Sequence, residues 1–127
     1  MDIIQAINSF WNSFGLKAYD EATVPDEMRF TNQNNTNKNP YITYEVNVGE
    51  FGESVVSAVN VWYYDAGWKT IETKIKEIDA RICKGGVQIP YDEGTIWIKT
   101  GTPYRSRVEE SNDMIRRYLL NTIIEYH

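Results

Sequence analysis

A chain of 127 residues with 42% hydrophobic and 24% charged residues has the size and make-up of a single globular domain, able to bury roughly two thirds of its unfolded surface in one core. Its 13 basic residues against 18 acidic ones leave a net charge of -5. That balance opposes accumulation on a phosphate backbone, so no specific nucleic acid is expected as a partner. The single cysteine, Cys83, excludes an intramolecular disulfide and fits a reducing cytosol.

In chain order, Ile3, Ile7, Phe10 and Phe14, with Ile4 and Trp11 beside them, recur at three- and four-residue spacing. The spacing predicts an amphipathic helix lying flat on a sheet, with Asp2 to cap it and Gly15 to end it. An acidic residue where positive charge is needed, and apolar residues that are spaced rather than continuous, argue against an export signal. No run approaches the roughly 18 consecutive apolar residues of a membrane span. From Leu16 to Met28 the chain carries no period, and Pro25-Asp26 is a turn signal. The Asn-rich stretch Thr31 to Asn39 reads as a polar loop, mobile unless a partner orders it, because it has nothing to bury. Its Asn34-Asn35-Thr36 sequon carries no weight without a secretion signal.

Ile42, Tyr44, Val46 and Val48 alternate with polar residues, the two-residue period of a strand with one face on a core. Gly49 to Gly52 turn the chain into Val55 to Tyr64, which is apolar on both faces and therefore predicts a central strand paired with the first as a hairpin. Trp68, Ile71, Ile75, Ile78 and Ile82 hold the helical spacing without a miss, predicting a helix from about Gly67 to Lys84. Asp65 is placed to cap it and Gly85-Gly86 to end it in left-handed geometry. Gly86 to Pro90 and Thr95 to Thr100 read as a hairpin about Asp92-Glu93-Gly94. A loop is expected around Gly101-Thr102-Pro103, and Tyr118 to Tyr126 alternates as a final strand; a helix from Met114 is the rival, with a less clean stripe.

The sum is one α+β domain over residues 1–127. It has a mixed, largely antiparallel sheet of four to five strands, on which an N-terminal helix and a central amphipathic helix pack. Four Trp and nine Tyr suit a sheet that also makes contacts.

Residues able to do chemistry are sparse. The single histidine, His127, is the last residue and Cys83 stands near a helix end, whereas zinc sites need three or four such ligands. Cys83 reads as a small buried apolar group. Lys84-Gly85-Gly86 follows a helix and precedes a strand, the reverse of a phosphate-binding glycine loop. The carboxylate pairs Asp20-Glu21, Asp26-Glu27, Asp92-Glu93 and Glu109-Glu110 lie in predicted turns or loops, a poor setting for a glycosidase pair. No serine has an internal histidine to activate it. No catalytic, cofactor or metal site is expected, and the chain reads as not an enzyme.

Several short segments in order carry a family resemblance. They are Ser13-Phe14-Gly15-Leu16-Lys17-Ala18-Tyr19, Val24-Pro25-Asp26 and Pro40-Tyr41-Ile42-Thr43-Tyr44, then Trp62-Tyr63 with Trp68 before a long helix. Gly101-Thr102-Pro103-Tyr104 and Asn112-Asp113-Met114-Ile115-Arg116-Arg117-Tyr118 complete the series. It resembles the tail-terminator (tail-completion, head-tail joining) proteins of siphophages and prophages, the family of the lambda tail terminator, and spans nearly the whole chain. The Asn-rich stretch departs from that pattern, in which related chains run more directly into the Pro-Tyr-Ile-Thr-Tyr strand.

The resemblance implies a structural protein without catalysis that forms a hexameric ring. Such a ring caps the tail tube, ends polymerisation of the tube protein and offers its other face to the head connector or head-closure protein. It implies a place in the virion at the head-tail junction, after synthesis in the host cytoplasm. A head-closure or adaptor protein is the alternative within that setting. An acidic DNA mimic is the alternative from another class, disfavoured because the acidic residues interleave with Lys and Arg. Rings need heterologous interfaces, and aromatic and arginine side chains supply interface energy well. The loop Gly101 to Asp113 and the residues Tyr104, Arg105, Arg107, Arg116 and Arg117 are the interface candidates, with plain solvated surface the alternative for each; grouped beside acidic residues, the arginines could pair with carboxylates across subunits.

Overall fold

The computed structural model describes every residue of the chain except Phe51 and Cys83. Helix α1 spans Ile3–Asn12, strand β1 Lys17–Asp20, and a short 3-10 turn Asp26–Met28. Strands β2 (Tyr41–Tyr44) and β3 (Ser54–Tyr64) follow, then helix α2 (Lys69–Ile82). Strands β4 (Val87–Tyr91), β5 (Gly94–Val108) and β6 (Ile115–Tyr126) complete the chain. The strands form one six-stranded sheet in the order β1-β2-β3-β6-β5-β4, parallel only between β1 and β2. The fold is α+β with a mixed sheet, one strand beyond the four to five expected.

The added strand is β1, which falls in the stretch where no period was legible. Four residues on a sheet edge contribute only Ala18 to the core, too short a pattern to stand out. Two further expectations are corrected. The first strand does not run on to Val48: it ends at Tyr44, and all four of its residues are buried, so both its faces are covered. Beyond it Glu45 N–H still donates to the Ala58 carbonyl at 3.0 Å, and side chains make the other bonds, with Ala58 N–H donating to Glu45 Oε1 at 2.7 Å and Asn47 Nδ2 donating to the Val56 carbonyl at 2.8 Å. The expected loop at Gly101-Thr102-Pro103 is instead a bulge inside the fifteen-residue β5. There the register jumps from Thr100 opposite Thr122 to Arg105 opposite Leu120. Asn121 Nδ2 spans the bulge to the Pro103 carbonyl at 2.9 Å, and the Thr102-Pro103 peptide is cis.

The remaining elements match their patterns. Asp2 and Gln5 form a reciprocal capping box on α1, satisfying two of the orphan N–H groups of its first turn. Helix α2 buries Ile71, Ile75, Ile78 and Ile82 at 1% exposure or less. Asp65 stands at the start of α2, accepting from Gly67 N–H at 3.2 Å in the turn ahead of the helix and from the side chain of Thr70 in its first turn. At the other end Gly85 and Gly86 adopt φ of 101° and 89°, where only glycine is at ease. A Cβ on Gly86 would lie 2.5 Å from Trp97 Nε1, so close strand packing demands glycine there as well.

Both helices pack on one side of the sheet. Their apolar residues merge with Ile42, Val59, Val61, Ile96, Ile98 and Tyr118, Leu120, Ile124 and Tyr126 of β6 into one core. Helix α1 touches both outermost strands, β1 and β4, so the sheet curls round the helix layer and has a concave and a convex face. On the convex face a smaller aromatic cluster of Phe30, Tyr41, Trp62 and Ile115 lies beneath the segment from Glu21 to Pro40. Tyr41 and Trp62 stack at 5.8 Å, and the Tyr41 hydroxyl accepts from Phe30 N–H at 2.9 Å. The asparagines of the polar loop bond the backbone of their own segment, as in Asn37 N–H to Asn35 Oδ1 at 2.8 Å, and Lys38 Nζ sits 4.0 Å above the Tyr64 ring.

Candidate subunit interface

The five residues expected at an interface fall into three places. Arg105 and Arg107, just past the bulge in β5, face the concave side and reach α2: Arg105 Nη1 lies 3.1 Å from Asp79 Oδ2, and Arg107 Nη2 lies 2.6 Å from Glu72 Oε1. Arg107 Nε also donates to the Tyr118 hydroxyl at 3.0 Å, and that hydroxyl donates in turn to Glu72. The Tyr118 hydroxyl and then Arg107 hold the Glu72 carboxyl below the usual glutamate range. Tyr104 packs on the same helix, its hydroxyl sealed from solvent. Burial and the Asp79 carboxylate push that hydroxyl well above the usual tyrosine range.

Arg116 binds elsewhere on the concave side. It donates to the Ala66 carbonyl at 2.6 Å and lies 5.2 Å from the Trp68 ring, whose other contact is Arg107 at 4.7 Å. Trp68 thus has two guanidinium groups against its ring, with Tyr118 edge-on at 5.7 Å. Arg117 alone points to the convex face. Its Nε lies 2.9 Å from Glu110 Oε1, Nη1 donates to Asn60 Oδ1 at 3.2 Å, and its guanidinium covers Trp62 at 4.9 Å.

Each arginine therefore has an acceptor or an aromatic face within its own chain. Arg105, Arg107 and Arg116 tie β5 and β6 to α2 and to the turn before it, and Arg117 ties β6 to β3 and Glu110, which makes them struts within the chain. The segment around them is also not one loop, since 101–108 belongs to β5 and only the residues after Val108 leave the sheet.

A different surface lacks intramolecular cover. On the convex face β3 and β6 set Val56 opposite Ile123, Ala58 opposite Asn121 and Asn60 opposite Leu119. Val56 is 62% exposed, the highest value for any large hydrophobic residue described. Ala58, Leu119, Ile123 and Trp97 are each half-buried. Lys99 closes one side of the strip, lying 3.8 Å over the Trp97 ring and 3.0 Å from Glu125 Oε1. The signal was present in the sequence: Val55 to Tyr64 is apolar on both faces, and so is the final strand through Leu119 and Ile123. Centrality in the sheet explains that pattern only if both faces are covered, and here both helices lie on one.

Among the described residues no group of three or more His, Cys, Asp or Glu is placed to hold a metal ion, and no helix is long and apolar enough to cross a membrane. His127 is exposed beside Glu125, at 3.2 Å. The expectation for Cys83 lies outside the described residues. The chain matches no protein-family model, no curated protein and no solved structure.

Proposed function

We propose that the chain is a ring-forming structural subunit of a phage head-tail junction, a tail terminator that caps the tail tube, ends its polymerisation and presents its other face to the head connector. The observation that carries this reading is the apolar strip on the convex face, where Val56 is exposed and Ala58, Trp97, Leu119 and Ile123 are half-buried. A monomeric domain normally covers such a surface, and a sheet with helices on one face only gains by packing a further layer on the other. The ordered segments from Ser13 to Tyr118 that resemble tail terminators support the same reading. The surface chemistry is that of a protein which acts by presenting faces to partners: apolar centre, charged rim, no convergent catalytic groups on the strip.

Deleting the gene in the phage or prophage that carries it tests the proposal. The expected result is tails of abnormal length, or tails left unattached beside filled heads, seen by electron microscopy and restored by supplying the protein in trans. Tails of normal length joined to heads in the deletion refute it. Normal-length tails that fail to join favour the head-closure or adaptor alternative.

A further inference from the structure

We infer that the outer edge of β4 pairs with β4 of a second copy of the chain, antiparallel about Gln88. The contact is a two-fold one and does not depend on the ring reading above.

The sheet has two outer strands, β1 and β4, and they end it differently. On β1 the chain supplies its own cover. Ala18 N–H donates to Asn12 Oδ1 at 3.0 Å, and the Ala18 carbonyl accepts from Asn12 Nδ2 at 3.4 Å. Two residues on, the Asp20 carbonyl accepts from Thr23 N–H at 2.9 Å. A side-chain amide and a turn thus occupy the places an added strand would need.

Strand β4 is not closed in this way. Thr95 and His127 exchange both of their backbone bonds, at 2.8 and 2.9 Å. Antiparallel ladders alternate, so Trp97, two residues on and opposite Glu125, also directs its N–H and carbonyl to β6. Gln88 faces Trp97 across the β4–β5 pair and finds no bond there, so its own N–H and carbonyl point away from the sheet. The Pro90 carbonyl points the same way, and proline has no N–H. Gln88 and Pro90 are both exposed. The next outward group, Asp92 N–H, is closed by the Met1 carbonyl at 2.8 Å.

The unmet groups are self-complementary. Gln88 offers both a donor and an acceptor, so a two-fold axis through it lets two Gln88 residues exchange both bonds, the hydrogen-bonded pair of an antiparallel ladder. A register centred on Pro90 would lack the donor. The same axis sets Val87 opposite Ile89 of the copy, twice. Both side chains are half-buried against the main core, and pairing covers what is left of them through cross-strand contacts.

Antiparallel pairing also brings the turn before β4 beside the copy's turn after it. Lys84 lies in the first, Asp92 and Glu93 in the second, and all three are exposed. Neither Lys84 nor Glu93 has an ion-pair partner among the described residues. A parallel pairing would set Lys84 against Lys84 instead. Because β1 is closed, pairing fills the open edge and stops at two chains, as an isologous contact does.

Cross-linking and hydrogen exchange test this. The two Gln88 Cα atoms would lie about 5.5 Å apart, inside the span of a disulfide. In a chain carrying Cys83→Ser, the further change Gln88→Cys should give a disulfide-linked dimer in oxidised glutathione many-fold faster than Thr73→Cys, an exposed position on α2. Lys84→Glu should slow that cross-link several-fold, and adding Glu93→Lys should restore it; thermal midpoints near wild type establish that the variants fold. In the wild-type chain, which needs no substitution, the Gln88 amide should exchange with deuterium many-fold more slowly as protein concentration rises. Cross-linking at Gln88→Cys no faster than at Thr73→Cys overturns the inference, as does a Gln88 amide whose exchange ignores concentration. A charge swap that restores nothing overturns the antiparallel register. Exchange slowed only by a different protein assigns the edge to a foreign strand and overturns the inference as well. The terminator reading stands or falls separately on the tails made without the gene.

Discussion

Replacing Ile75 with alanine probes the element on which the fold most depends. Ile75 sits mid-way along α2 at 0% exposure, between Ile71 at 1% and Ile78 at 0%. The change removes three carbons from the centre of the main core. At about 0.8 kcal/mol per buried methylene the transfer loss is roughly 2.4 kcal/mol, and the cavity left in a packed interior carries the total into the range of about 2 to 5 kcal/mol. Alanine is the better helix former by roughly half a kcal/mol, which offsets a little of this. The net expectation is a loss of about 2 to 4 kcal/mol. For a domain of this size that corresponds to a fall in Tm of roughly 10 °C. Urea unfolding followed by tryptophan fluorescence reads it directly, with Lys76→Ala, one residue on and exposed, as a control expected to stay within about 0.5 kcal/mol. A loss under about half a kcal/mol at Ile75 would mean that the isoleucine stripe does not face a packed core, and the account of the sheet and helix layer would fail with it.

Other consequences are equally direct. Removing the polar loop Thr31 to Asn39 and closing the gap with a short glycine linker should leave folding intact and change stability by roughly 1 kcal/mol or less, since closure depends weakly on length; a chain that no longer unfolds cooperatively would contradict this. If that variant folds but does not assemble, the loop meets a partner. The lowered Glu72 carboxyl binds its proton more readily in the unfolded chain, so its contribution is present above the usual value of 4.5 and is lost as pH falls through the lower folded value. Glu72→Gln should therefore flatten the acid limb of the stability profile, and an unchanged slope would remove Glu72 from that role. Burial pushes the Tyr41 hydroxyl up to about 12, so stability should decline as pH rises from 10 towards 12, less steeply in Tyr41→Phe. Arg107→Ala should lower the thermal midpoint only slightly, because the side chain is half exposed and screening limits such pairs; an unchanged midpoint would show that Arg107 contributes nothing to the fold.

How much was legible in the sequence depended on how long each pattern ran and how many faces it had to serve. The α2 stripe sets five apolar positions over about four turns from Trp68 to Ile82, and β6 alternates from Tyr118 to Tyr126, so both were readable, although β6 begins at Ile115, ahead of the alternation. Strand β1 offers only Ala18 as a buried residue. The bulge in β5 was hidden because Gly101 and Pro103 are ordinary loop signals, while the pairing that resumes at Arg105 depends on Leu120, far along the chain. Strand β2 misled in the opposite way. Its alternation continues to Val48, but the strand ends at Tyr44: Glu45 makes one more backbone bond to Ala58, and Asn47 reaches β3 only through its side chain. Tertiary partners decided each of these cases.

The arginines illustrate a separate difficulty, which bears on how a contact surface is found. Four arginines within thirteen residues beside acidic neighbours have the composition of an interface, and residue type alone points there. In the fold that composition serves the monomer, because Glu72, Asp79 and Glu110 stand where their guanidinium groups reach. A charged pair already made within the chain has little left to gain from a neighbour, since the second partner must compete with the first. Val56 and the lysines of α2 are in the reverse position. An exposed valine on a central strand, and ammonium groups without carboxylates, gain fully from any surface that complements them. Unmet chemistry, rather than interface-prone residue type, is therefore the better guide to where a partner would sit, and in this fold it points away from the arginine segment and towards exposed groups such as Val56.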